Sequence, residues 1–383
     1  MEPTPAPDNT PTAPVRPRSS RLVFVDRARS IAIALALLAH ALGYVRSVGV
    51  FENALARWVS LMTAAATPTF IILFGMMVEL VYVKRAERDG LTATARRLCI
   101  RSAQCYFGYL VITAGAVIGG DEPLAALWGV ATFTDSFFLG SILRFYVFSL
   151  LAVIPLLWVR LRLGLATIPA LGVAAWALAS VMQPVPFLSP MLSSFLFGTG
   201  SYGPSVLHGF ILIAIGMGLG WALRPAGKTG DLSIYWRTLG AVTAAAVLVI
   251  GGLFVAEGIS PEDFLGRYIR GFRGDNHPAY YAIGTVMTCG LLAALTATRN
   301  IDLGRVGALV GVLGTSSLVA YSVGNFIIAS YPAWGPYQTD RFWPALAASL
   351  ALALLAVPAT HLVRIIREAA GSRRPQPRPV PVP

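Results

Sequence analysis

VDRARSIAIALALLAHALGYV, residues 25–45, is an apolar run that nonetheless carries Asp26, Arg29 and His40. A helix of about 20 apolar residues crosses the hydrocarbon of a bilayer, and ionisable groups inside such a helix are expensive and mark functional sites by default. Their spacing places them on one stripe. Eleven positions separate Arg29 from His40. That is about 1100° of rotation, about 20° from a whole number of turns, and roughly 16 Å along the axis. Asp26 precedes Arg29 by one helical turn and sits beside it as an i,i+3 pair. A guanidinium can grip a phosphate or carboxylate through two parallel hydrogen bonds, and a neutral imidazole can serve as a general base. The stripe suits a ligand that enters from the cytoplasmic end of the helix with its anionic end last. The plainer alternative is a structural ion pair at the interface and a histidine bonded to a neighbouring helix.

Nine more runs of comparable length follow, at 58–83, 100–118, 142–159, 163–182, 206–223, 238–256, 279–298, 304–329 and 342–366. The expected fold class is therefore all-α, a polytopic membrane helix bundle of about ten transmembrane helices. Composition agrees. Of the 383 residues, 56% are hydrophobic and 13% charged, against about a quarter charged in soluble domains. With a mean hydropathy of +0.67, the apolar side chains exceed what one core can hold, so many must face lipid. The net charge of +12 does not indicate nucleic acid, because the basic residues lie between apolar runs. Trp58, Trp158, Trp221 and Trp343 fall near run ends, where indole rings anchor to the interface.

The basic residues set the orientation. With ten crossings and the N-terminus inside, 23 of the 30 Lys and Arg lie on the cytoplasmic side and 7 outside. A further apolar stretch, 124–139, contains Asp135. If it also crossed, the split would be 16 to 14. The positive-inside rule favours the first arrangement, so 124–139 is expected as an interfacial or re-entrant helix on the outer face. Localisation in the plasma (inner) membrane follows, with both termini cytoplasmic. The chain divides into a disordered cytoplasmic tail over 1–20, a transmembrane domain over 21–367 and a disordered Pro/Arg-rich cytoplasmic tail over 368–383. The first run, with Asp26, Arg27 and Arg29 near its start, is a poor signal peptide and is expected to be retained. Three cysteines, Cys99, Cys105 and Cys289, fit neither a disulfide framework nor a zinc spacing.

The Arg29-x10-His40 spacing after Asp26 resembles the first helix of the transmembrane acyltransferase superfamily, which includes the acyltransferase-3 proteins. Other blocks are similar. TFIILFGMMVELVYVKR (69–85) looks like the second-helix stretch that ends in a glycine and a basic loop. ILRFYVFSLLAVIPLLW (142–158) and LHGFILIAIGMGLG (207–220) resemble helices of the osmoregulated periplasmic glucan succinyltransferase branch. LGTSSLVAYSVGNFII (313–328) resembles a late-helix Ser-Leu-x-x-Tyr block. Two positions depart from the pattern: Phe74 stands where Ser usually precedes the glycine, and Asn325 where the late helix often has His.

The resemblance implies an integral membrane O-acyltransferase. An acetyl or succinyl group would pass from cytoplasmic acyl-CoA, as co-substrate, to a hydroxyl of an extracytoplasmic glycan or glycolipid. Arg29 would contact the donor and His40 would be the base, with Asp26, the preceding acid, completing the catalytic set. Lys84 and Arg85 open a basic rim, continued by Arg88, Arg96, Arg97 and Arg101, that could attract the CoA phosphates. No metal and no nucleic-acid partner is expected; the lipid bilayer is the remaining partner. On the outer face, His208 and the loop GISPEDFLGRYIRGFRGDNHP (258–278), with Arg270 and His277, are candidates for acceptor binding. Their plainer reading is interfacial side chains reaching headgroups. The alternative function is a transporter or permease with Arg29 and His40 lining its path. Such carriers show broken helices in matching halves, and Pro68, Pro155 and Pro358 form no evident matched pair.

Overall fold

The computed structural model describes residues 23–45, 54–182, 188–198, 204–225, 230–302, 304–335 and 337–372. The first tail, 1–20, lies outside the described residues. Of the second expected tail, 368–383, residues 368–372 belong to the last helix, Ala356–Ser372, and residues 373–383 lie outside the described residues.

The described residues fold as helices and connections. In chain order these are α1 (Val23–Val45), α2 (Ala54–Ala64), α3 (Ala66–Met77), a π-helical segment Val78–Val83, α4 (Lys84–Asp89), α5 (Leu91–Gly119) and α6 (Leu124–Ala131). There follow α7 (Ser141–Leu163), α8 (Thr167–Val181), α9 (Pro190–Phe197), α10 (Val206–Leu223), α11 (Ser233–Glu257), α12 (Pro261–Arg270) and α13 (Pro278–Ala297). The last are α14 (Gly304–Thr315), α15 (Ser317–Ser330), α16 (Phe342–Leu354) and α17 (Ala356–Ser372). Among the described residues, eight continuous helical stretches are long and apolar enough to cross a membrane, so the chain is a polytopic helical membrane bundle.

Two of the ten apolar runs are not among these eight. The run at 163–182 yields α8, with 15 residues; that is about 22 Å of helix, against a hydrocarbon core of about 30 Å. The run at 304–329 is interrupted at Ser316, dividing α14 from α15. The stretch at 124–139 forms only the eight-residue α6 and a short 3₁₀ turn, Phe138–Gly140, too short to cross.

Prolines explain two other breaks. Pro68 and Pro358 each lack the N–H that would bond four residues back, and α2/α3 and α16/α17 part three residues before them, at Ala65 and Leu355. The break at Ser316 has no proline. There Gly314 lets the chain approach α1 so closely that a Cβ would strike the Asp26 carbonyl and Ser30 Oγ.

α1 sits centrally, packed by α3, α13, α14, α15 and α16, with Ala28, Ala32, Ile33 and Ala41 fully buried. α3 and α10 cross tightly through glycines: a Cβ on Gly75 would meet the Ile213 carbonyl, and one on Gly216 the Ile72 carbonyl. Small residues allow such approach between membrane helices. Near the α1 N-terminal end of the bundle, the Glu79 carboxylate is wholly buried. Arg160 grips it with two hydrogen bonds of 2.7 and 3.0 Å, and Arg224 lies 3.0 Å away, tying the π-helical segment to α7 and α10. At the same end Arg27 donates to the Ile301 carbonyl just beyond α13, at 3.0 Å. Trp58, Trp158, Trp221 and Trp343 are all well exposed on the bundle exterior.

Candidate active site

Two cavities approach α1 from opposite ends. The larger, about 1090 Å³, is lined at the α1 N-terminal end by Asp26, Arg29, Tyr82, Arg97, Arg101 and Arg367. The smaller, about 300 Å³, lies toward the α1 C-terminal end and is lined by His40 and Arg273, among others. Phe70, Ile142 and Tyr321 line both, so these side chains form the wall where the cavities meet. The stripe expected on α1 is present, but it serves two chambers, with Arg29 in one and His40 in the other.

The periodicity of α1 produces this. Its small, buried face lets α14 and α15 pack close, while Asp26, Arg29 and His40 remain only partly buried. Asp26 and Arg29 stand 3.5 Å apart as an i,i+3 pair. The imidazole of His40 is held from α15: Nδ1 lies 2.5 Å from Asn325 Oδ1. The Asn325 amide nitrogen donates to the Tyr321 carbonyl, one turn back, at 2.9 Å. That bond turns the amide oxygen toward His40, so Nδ1 carries the proton and donates it. In the neutral ring Nε2 then keeps its lone pair.

Aromatic edges fix the ring plane. Phe138 and Tyr321 meet His40 edge-on, with centroids 6.1 and 6.3 Å away. Tyr321 also packs edge-on against Phe70 at 5.9 Å and donates its hydroxyl to the Leu139 carbonyl at 2.8 Å. From the larger chamber, Tyr146 donates to the Phe70 carbonyl at 2.9 Å.

The remaining sequence candidates distribute unevenly. Lys84 is exposed and Arg85 pairs with Asp89 at 3.3 Å; neither lines the large cavity, whereas Arg97 and Arg101 of the same rim do, joined by Arg367 of α17. His208 lines neither chamber. It is buried beside Ser205 Oγ, 2.7 Å from Nδ1, with its ring edge-on to Trp176. His277 caps α13 by accepting from the Ala279 N–H, at 3.3 Å, and its Nε2 lies 2.9 Å from Glu257. The Arg270 side chain lies outside the description. Three residues not singled out for the site belong to it: Asn325, Tyr321 and Arg273. Asn325 was visible only as a departure from a resemblance, and Arg273 only as one of three arginines in a loop.

Among known proteins, a family described as heparan-alpha-glucosaminide N-acetyltransferase, catalytic, matches residues 21–255. The match spans α1 to most of α11, and so holds Arg29, His40, Arg97 and Arg101; Arg273, Tyr321 and Asn325 lie beyond it. No curated protein matches the chain significantly. With more than half its length matched, the chain belongs to the heparan-alpha-glucosaminide N-acetyltransferase catalytic family, a family of transmembrane acetyltransferases.

Proposed function

We propose that the protein moves an acetyl group from acetyl-CoA, bound in the large cavity from the cytoplasm, to a hydroxyl of an extracytoplasmic glycan or glycolipid in the small one. The observation that carries this reading is the pair of chambers meeting at Phe70, Ile142 and Tyr321, with a cationic mouth on one side and an oriented histidine on the other. Arg29, Arg97, Arg101 and Arg367 are suited to the phosphates of the donor. The apolar interior beyond them suits its thioester arm.

In the transfer, Nε2 of His40 takes the proton of the acceptor hydroxyl as its oxygen attacks the thioester carbonyl. The tetrahedral adduct collapses with loss of the C–S bond. The CoA thiolate leaves and takes the proton back from His40. A positioned base contributes about 10²- to 10⁴-fold to such a step. The resemblance of α7 and α10 to helices of the glucan succinyltransferase branch also favours a saccharide acceptor. The orientation follows the basic residues: both termini cytoplasmic in the plasma (inner) membrane, with Arg97 and Arg101 on the inner rim. A second reading places the acetyl group on a sugar amine, as the description of the matched family states for its own members.

The test is transfer by purified protein in nanodiscs from radiolabelled acetyl-CoA to a cell-envelope glycan extract. Wild type should label glycan, and His40→Ala, still folded and still binding acetyl-CoA, should lose about 10²-fold or more of the rate. Label released by mild alkali identifies an ester, and label that resists it an amide. Absence of both glycan labelling and acetyl-CoA binding in wild type would sink the reading in favour of a carrier.

A further inference from the structure

The smaller chamber carries a charge with no counter-charge. Arg273 enters it from the loop between α12 and α13 and donates Nη2 to Ser141 Oγ at 2.9 Å. Its Nε is buried without a hydrogen-bond partner. Among the described residues lining this chamber there is no Asp or Glu. Of the nearby acids, Glu257 is turned toward His277 and Arg267, Glu262 toward Arg57 and Asp263 toward Ser260, while Asp275, two residues on, is exposed and does not line the chamber. A guanidinium stays charged at any physiological pH and offers five donors. A purely structural arginine in a partly buried position would spend those donors on carbonyls or a carboxylate, since buried charges are paired. This one spends a single hydrogen bond on a hydroxyl.

The fold goes to some length to put Arg273 there. Ser260 caps α12 by accepting from the Asp263 N–H, with Pro261 in the first turn. Phe264, Tyr268 and Phe272, four residues apart, bury one face of that segment. Tyr268 stacks on Tyr280 with centroids 5.9 Å apart, and Phe272 stacks on the His277 cap of α13 at 4.2 Å. The loop is thus pinned on both sides of Arg273. The lining of this chamber includes, beside aliphatic side chains such as Leu42, Val59 and Ile269, the hydroxyls and aromatic rings of Ser60, Thr63, Ser141, Tyr268 and Tyr280. Aromatic faces with hydroxyls at their rims suit a sugar ring, and the volume of about 300 Å³ stands at the small end of ligand pockets.

We infer that Arg273 binds an anionic group, a carboxylate or a phosphate, on the acceptor sugar that occupies this chamber, and thereby selects the acceptor. The inference rests on the reading of this chamber as the acceptor site, but its first test needs no turnover. Full-length protein in phosphatidylcholine nanodiscs is titrated with methyl glucuronide, methyl glucoside 6-phosphate and uncharged methyl glucoside, and binding is followed by saturation-transfer NMR. At least one anionic glycoside should bind more tightly than its uncharged twin, and which of the two does so identifies the anion. Arg273→Gln should weaken that binding by about ten- to a hundredfold, and Arg273→Lys should restore part of it. Equal binding of all three probes by wild type overturns the inference, as does an anion preference that survives in Arg273→Gln. Unchanged thermal stability and acetyl-CoA affinity in the variants exclude misfolding.

Steady-state transfer supplies the second arm. A KM for the anionic acceptor raised by a similar factor, with kcat kept, supports acceptor binding. A fall in kcat at constant KM overturns it and assigns Arg273 to charge that develops during reaction. Wild type that binds no acetyl-CoA and transfers nothing defeats the acyl-transfer reading alone, because the glycoside titration still decides what Arg273 holds.

Discussion

In the proposed transfer, His40 can act as the base only because Asn325 decides which of its nitrogens is protonated. Removing the amide frees the ring to rotate and to exchange tautomers. Asn325→Leu should therefore lower kcat by about ten- to a hundredfold, a large part of what a positioned base contributes, while leaving acetyl-CoA affinity unchanged. Asn325→His, whose ring can also accept from Nδ1, should keep clearly more activity than Asn325→Leu. Equal losses in the two variants, measured as kcat in nanodiscs, would show that Asn325 does no more than fill space. The sequence made one half of this pair legible and hid the other. Arg29 and His40 lie within one helix, where a rotation of 100° per residue ties position to face. Asn325 is 285 positions from His40, and no periodicity links them. The same limit misdirects attention along the basic rim: Lys84, Arg85, Arg97 and Arg101 look alike in sequence, and only the packing of α5 against its neighbours turns the last two toward the cavity.

Helices were easier to find than to delimit. Hydropathy marks where apolar residues run, and eight of those runs became helices of spanning length. It does not mark where a helix breaks. Two breaks follow from Pro68 and Pro358, but the one at Ser316 has no proline; beside it Gly314 lets α14 press onto α1, a tertiary contact that no local pattern shows. Glycines likewise differ by location. Gly216 and Gly218 share α10, yet a Cβ at Gly216 would strike the Ile72 carbonyl on α3 while one at Gly218 meets open space. Gly216→Ala should destabilise the bundle by about 1–3 kcal/mol, as overpacking does, and Gly218→Ala should be neutral or stabilising by up to about 1 kcal/mol. Thermal unfolding in one detergent checks both; equal shifts in the two variants would contradict the close crossing of α3 and α10.

The bundle as a whole is organised around two vestibules that nearly touch. Cys105, largely buried, lines the larger one, while Cys289 is buried elsewhere and Cys99 is exposed. With Cys99 and Cys289 replaced by serine, alkylation of Cys105 by N-ethylmaleimide should slow about tenfold at a CoA concentration ten times its Kd, as occupancy requires. Alkylation indifferent to CoA would mean that the donor binds elsewhere. Composition and charge distribution announced a bundle with ten apolar runs, yet neither could announce the vestibules, which are spaces between helices whose neighbours in the fold are distant in the chain.

The thin wall of Phe70, Ile142 and Tyr321 has a further consequence. Moving one elementary charge through a membrane potential of 100 mV is worth about 2.3 kcal/mol. Where solvent reaches inward from both ends, that voltage drops across the little material left between. These three side chains must then act as electrical insulation across the membrane, shutting out ions and protons at the very place where the proposed transfer needs an acetyl group to pass.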